Sequence, residues 1–102
     1  MPIRILVADD HPLFREGLCR LFQDEEGLEC VAMAEDGDEA VRLTEELEPD
    51  VAILDVNMPK LTGIDAARQI KKNCPNTAVL MLSAYKYNHY VITSIQAGGD
   101  GY

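Results

Sequence analysis

The sequence predicts an α/β fold: a doubly wound parallel sheet with helices on both faces and strands in the order 2-1-3-4. Three observations carry this. Nearly continuous apolar runs recur at 3–8 (IRILVA), 51–54 (VAIL) and 77–82 (TAVLML), as in strands buried on both faces. The stretches between them place apolar residues at helical spacing, which gives a βαβα alternation and therefore parallel strands. The apolar runs also stop abruptly in polar groups, Asp9-Asp10, Asp55 and Ser83. In this strand order those tips meet along one edge, where open α/β sheets place their chemistry.

Taken in order, the first strand ends in Asp9-Asp10, and His11-Pro12 follows with Pro12 suited to a first helical turn. Phe14, Leu18, Leu21 and Phe22 recur at i, i+4, i+7 and i+8, an amphipathic helix. A second strand, more polar and nearer an edge, is expected at 29–34 (ECVAMA). Asp36-Gly37-Asp38 offers a turn and a cap for a helix with Ala40, Leu43 and Leu47 on one face. Pro49-Asp50 stops it, and the strand ending in Asp55 begins. Asn57 and Met58-Pro59 cannot continue that strand. After the turn at 60–63 a helix carries Ala67, Ile70 and Cys74 inward, with Lys71 and Lys72 near its negative pole, and Pro75 ends it. The fourth strand closes in Ser83-Ala84. A last helix is expected from about Asn88, with Val91, Ile92 and Ile95 inward, as far as Gly98-Gly99. Asp100-Gly101-Tyr102 reads as the opening of a fifth strand.

The 102 residues suffice for one domain and not two. A net charge of −9 repels a phosphate backbone, so direct nucleic-acid contact by this domain is excluded. No apolar run is long enough to span a bilayer, and no basic-then-apolar signal opens the chain. Cys19, Cys30 and Cys74 have no metal spacing and read as buried, reduced thiols, which points to the cytoplasm.

Carboxylates gathered at one edge repel one another and call for a cation. Oxygen donors suit a hard divalent ion such as Mg²⁺. An Asp beside such an ion is a nucleophile toward a phosphoryl donor, and Ser83, one strand away, can donate to a phosphoryl oxygen. His11 has two readings, a ligand or base on one hand and a helix start beside Pro12 on the other; the second is the simpler. His89 reads as solvated at a helix start, and Tyr87 and Tyr90 as half-buried packing.

The segments VADDHPLFREGL, DVAILDVNMPKLTGID, LMLSA and AGGDGY together resemble the receiver (CheY-like) domain of two-component response regulators, which has a flavodoxin-like fold. The match spans nearly the whole chain, and DDHPLFREGL is most similar to the NarL/LuxR subfamily. That resemblance implies a domain over residues 1–102 with order 2-1-3-4-(5), its fifth strand incomplete, its fifth helix absent and its DNA-binding output domain missing. It implies Asp55 as phosphoacceptor from a sensor histidine kinase. Mg²⁺ would then be held by Asp10, the Asp55 carboxylate and the Asn57 backbone carbonyl, with Asp9 acting through water. Ser83 would be the hydroxyl that follows the phosphoryl group, Ala84 the small neighbour that keeps access open and Tyr102 the aromatic whose rotamer reports the switch, while Asn57 and Tyr85 would border the water path that governs dephosphorylation. The family's lysine is expected three residues past Tyr102 and is not in this sequence. Gly99 stands where the family more often has Ala. Such a domain is a signalling phosphoacceptor that catalyses only its own phosphorylation and dephosphorylation. An uncovered fourth strand would promote self-association. Two other classes compete with this reading. A haloacid-dehalogenase-like phosphohydrolase needs a second Asp where Asn57 stands, and an interaction module that is never phosphorylated has no need of the acidic set.

Overall fold

The computed structural model describes residues 2–56, 58, 60–85 and 89–95, with side chains through residue 82. Its elements run β1 (Ile3–Ala8), α1 (Pro12–Gln23), β2 (Leu28–Ala34), α2 (Gly37–Leu47), β3 (Val51–Asp55), α3 (Gly63–Asn73), β4 (Ala78–Tyr85) and β5 (His89–Ile95). The sheet order is β2-β1-β3-β4-β5. β1 pairs in parallel with β2 and β3, and β3 with β4, as the sequence predicts.

The two faces of the sheet are covered unequally. Leu6, Ala8, Ala52, Leu54, Val79 and Met81 pack under α2 and α3 against Ala40, Ala66, Ala67 and Ile70. On the other face Ile5, Val7 and Cys19 form a smaller core with Leu18, Phe22, Val51 and Ile53. Among the described residues the central strands are thus not sealed on both sides. β3 alternates, with Ala52 and Leu54 buried and Val51 and Ile53 only half-buried. Beside α1 the sheet is left with a cleft of about 350 Å³ lined by apolar side chains alone, among them Leu18, Phe22, Ile53 and Leu80. The inward stripe of α1 is also shifted from the predicted one. Leu21 is 63% exposed and Cys19 is the buried residue, because a 3.6-residue turn carries Arg15, Leu18, Cys19 and Phe22 along one side.

Two expectations are corrected. Cys19 and Cys30 are joined as a disulfide that ties α1 to β2, and Cys74 is the free thiol. The helix turns Cys19 toward the sheet opposite Cys30, with Cα atoms 5.5 Å apart, within reach of a bridge. The argument for a cytoplasmic location from three reduced thiols therefore falls. The segment expected to open a helix near Asn88 instead forms β5, antiparallel to β4 from Val79↔Ile95 to Tyr85↔His89. Val91, Ile92, Thr93 and Ile95 are β-branched and suit a pleated surface better than a helix. In this position they pair the otherwise open edge of β4. The predicted strand at Asp100-Gly101-Tyr102 lies outside the described residues, as do Gly99 and Tyr87.

The helix starts follow the sequence. The Asp36 carboxylate accepts from the Glu39 N–H at 2.8 Å and the Thr62 hydroxyl from the Asp65 N–H at 3.2 Å, each capping its helix. Lys71 and Lys72 occupy the last turn of α3, and the Lys71 ammonium donates to the Thr77 carbonyl.

Candidate functional site

The site forms where β1 and β3 end. Asp9 follows β1, and its N–H donates to the Ala34 carbonyl at 3.0 Å, prolonging the β1–β2 pairing by one residue. Asp55 is the last residue of β3, in register with Leu82, so Ser83 stands one position further along the neighbouring strand. Asp9 and Asp55 are 4% and 9% exposed, whereas Asp10 lies open to solvent. One oxygen from each of Asp9, Asp10 and Asp55, with the His11 ring nitrogen, falls within a span of 4.8 Å.

Local backbone chemistry brings the turn after β3 close to Asp55. A Cβ on Gly63 would stand 2.0 Å from the Asp55 carbonyl oxygen, so glycine is required for α3 to start there. The Gly63 N–H then donates to the Val56 carbonyl at 3.0 Å, which ties the start of α3 to the end of β3.

His11 occupies the N-cap position of α1, yet its side chain makes no capping bond. The residue before a proline is held in extended backbone, here φ −101° and ψ 106°. The ring consequently turns back over the strand end, where Nδ1 lies 2.9 Å from Asp9 Oδ1 and 3.0 Å from Asp10 Oδ1. The His11 N–H donates to the same Asp9 oxygen at 2.8 Å. The hydrogen bond to Asp9, then the charge of Asp10, raise the imidazole pKa above its ordinary value. Arg15, one turn into α1, donates from Nη1 to the Asp9 carbonyl at 2.6 Å. Sequence spacing places Asp9, Asp10 and Asp55 at one edge. Of the two sequence readings of His11, a ligand or base and a simple helix start, the ring's place on two carboxylates and its lack of a capping bond favour the first, while the contribution of Arg15 carries no signal in the sequence.

Asn57 and Tyr102 lie outside the described residues. Ser83, Ala84 and Tyr85 are part of β4, with side chains outside the described set. Among the described lysines, Lys60 pairs with Asp36 at 3.6 Å and Lys71 with the Thr77 carbonyl. A larger cleft, about 510 Å³, opens at the other end of the sheet near Glu45, Glu48 and Cys74. Burial, then Glu45 and Glu48, push the Cys74 thiol up, which is the reverse of an activated nucleophile. The acidic edge is therefore the candidate site. Two buried carboxylates and a third at the rim within 4.8 Å repel one another, and an oxygen-rich set of this size fits a hard divalent cation.

Comparison with known proteins agrees with this architecture. The response regulator receiver domain family matches residues 5–102. The chain is 43% identical over 100 residues to the transcriptional regulatory protein DegU of Brevibacillus brevis, covering 98% of this chain and 42% of that protein. The chain spans less than half the length of the curated relatives it matches. A two-component response regulator of the LuxR family from Aurantimonas sp. SI85-9A1 superposes with TM-score 0.78 at 36% identity, covering 84% of this chain and 61% of the other. The CheX–CheY–BeF3–Mg+2 complex from Borrelia burgdorferi superposes with TM-score 0.77 at 32% identity, covering 83% of this chain and 64% of its own. The sheet order, the acidic strand tips and these matches agree, and the chain belongs to the response regulator receiver domain family.

Proposed function

We propose that this chain accepts a phosphoryl group on Asp55 from a phosphohistidine of a sensor kinase, and that the resulting charge controls a DNA-binding output domain of the parent protein. The observation that carries this is the convergence of Asp9, Asp10 and Asp55 within 4.8 Å at the sheet edge. A carboxylate oxygen of Asp55 attacks phosphorus, the P–N bond to the kinase histidine breaks, and that imidazole leaves with the electron pair. Burial of Asp55 removes competing water from the nucleophile. Asp10 and Asp55, with the Asn57 carbonyl, are the residues that would hold Mg²⁺, and Asp9 would act on it through water. When bound, the cation offsets the carboxylate charge and that of the incoming phosphoryl oxygens. The Mg²⁺ in the similar CheY complex supports this assignment.

On β4, Ser83 receives a phosphoryl oxygen and Ala84 keeps the approach open, with Tyr102 as the aromatic that reports the change. Asn57 and Tyr85 set the access of water and hence the lifetime of the acyl phosphate. No other reaction is assigned to the domain, which acts as a signalling phosphoacceptor. A DNA-directed output places the protein in the cytoplasm, where residues 1–102 form its receiver domain. No helix among the described residues is long and apolar enough to cross a membrane.

The test is intact-mass spectrometry after incubation with acetyl phosphate, with and without Mg²⁺. One hydroxylamine-labile phosphate is expected on the wild-type chain with Mg²⁺, and none on Asp55→Asn. Equal labelling of the variant would overturn the assignment.

A further inference from the structure

We propose that His11 supplies a nitrogen donor to the cation held by the acidic edge. The site then favours manganese and the later first-row divalent ions over Mg²⁺ more than its carboxylates alone would. The proposal rests on the reading of Asp9, Asp10 and Asp55 as a divalent-cation site.

The argument starts in the backbone. Pro12 restricts His11 to an extended conformation, and the His11 N–H is fixed on Asp9 Oδ1 at 2.8 Å. Those two constraints turn the ring inward with Nδ1 facing the carboxylates. Nδ1 then lies 2.9 Å from one carboxylate oxygen and 3.0 Å from another. In an octahedral shell with bonds of about 2.1 Å, adjacent donors stand about 3 Å apart. Nδ1 therefore stands from the oxygen of Asp10, a direct ligand in the reading above, at the spacing of neighbouring donors around one ion, and the ring nitrogen lies within 4.8 Å of the Asp55 oxygen. The side chain is 73% exposed, so the small ring shift that admits an ion meets no packed wall.

Selectivity follows from donor chemistry. Mg²⁺ prefers oxygen and gains little from an imidazole. Manganese, cobalt, nickel and zinc bind imidazole increasingly well, apart from the drop after copper. A competing account treats His11 as a counter-ion that rests on the carboxylates until a cation displaces it. That account predicts that removing the ring strengthens every divalent ion alike.

The experiment is calorimetric titration of the full chain with Mg²⁺ and with Mn²⁺ at one fixed pH above neutrality, for wild type, His11→Ala and Asp10→Asn. Nitrogen modulation in the electron spin echo of bound Mn²⁺ is read on the same samples. Removing the ring is expected to cut the preference for Mn²⁺ over Mg²⁺ by at least about tenfold, to leave Mg²⁺ affinity within about threefold, and to abolish the modulation. An unchanged preference, or affinities for both ions rising together, would overturn the role of His11 while leaving the acidic site standing. Absence of cation binding to the wild type, or binding indifferent to Asp10→Asn, would overturn the site and this proposal with it.

Discussion

Asp9 and Asp10 are adjacent in sequence and chemically identical, yet the fold gives them different surroundings. Asp9 is buried, and its carboxylate accepts both the His11 N–H and the His11 ring, so it also orders the start of α1. Asp10 stands at the rim, 36% exposed at its side chain. Asp10→Ala should therefore lose the stabilisation given by Mg²⁺ while the metal-free melting temperature holds or rises, because a repulsion is relieved. Asp9→Ala should keep a weaker metal response and melt lower without metal, because the turn loses its acceptor. Thermal melts with and without Mg²⁺ decide this, and the opposite pattern would reverse the ligand order. Gly63 gives a second check at this scale. Its missing Cβ is what lets the chain pass the Asp55 carbonyl, so Gly63→Ala should destabilise by more than about 2 kcal/mol in urea unfolding. A loss under about 0.5 kcal/mol, the range of ordinary surface changes, would show that the loop relaxes freely.

Helix starts were readable from short motifs, and the disulfide and the last strand were not. Asp36 caps α2 through the Glu39 N–H and also meets Lys60 across the loop. Asp36→Ala should cost about 1 kcal/mol, nearly all of it from the cap, since the ion pair is partly in solvent. Chemical denaturation beside Lys60→Ala separates the two contributions, and a larger loss in the lysine variant would contradict the assignment. The Cys19–Cys30 link joins α1 to β2 across a sequence separation of 11. Cleaving it relaxes the unfolded chain, so a reductant should lower stability by roughly 3 kcal/mol. Thiol titration in denaturant should find one reactive group, Cys74, before reduction and all three cysteines after it. Three thiols in the untreated protein would show that α1 and β2 are held by packing alone.

For the molecule as a whole, the uneven cover of the sheet matters most. β5 pairs the edge of β4, so edge-to-edge pairing through that strand, expected from the sequence, is not the route to association. Among the described residues, the apolar cleft beside α1, bordered by half-buried Val51 and Ile53, is a surface that water covers poorly. Self-association is expected through this face, opposed by the net charge of −9 and therefore strengthened by salt. Multi-angle light scattering should show a mass that rises with protein and salt concentration, and Phe22→Gln at the cleft should reduce it. A constant monomer mass across both series would remove the idea.

The amino-acid pattern alone dictated the parallel order of the first four strands, because continuous apolar runs separated by helical patterns admit few alternatives. It also determined that Asp9, Asp10 and Asp55 share an edge, since strand ends in a parallel sheet lie on the same side. The extended backbone at His11 was legible too, in the proline that follows it. Packing of the folded chain settled what that extension achieves, namely a ring brought onto two carboxylates at 2.9 and 3.0 Å. It likewise decided that 89–95 is strand, because the four β-branched residues there suit a helix poorly and the edge of β4 offered partners for their backbone. The Cys19–Cys30 bond was decided in the same way: 11 positions apart in sequence, the two cysteines face each other only once α1 has packed against the sheet.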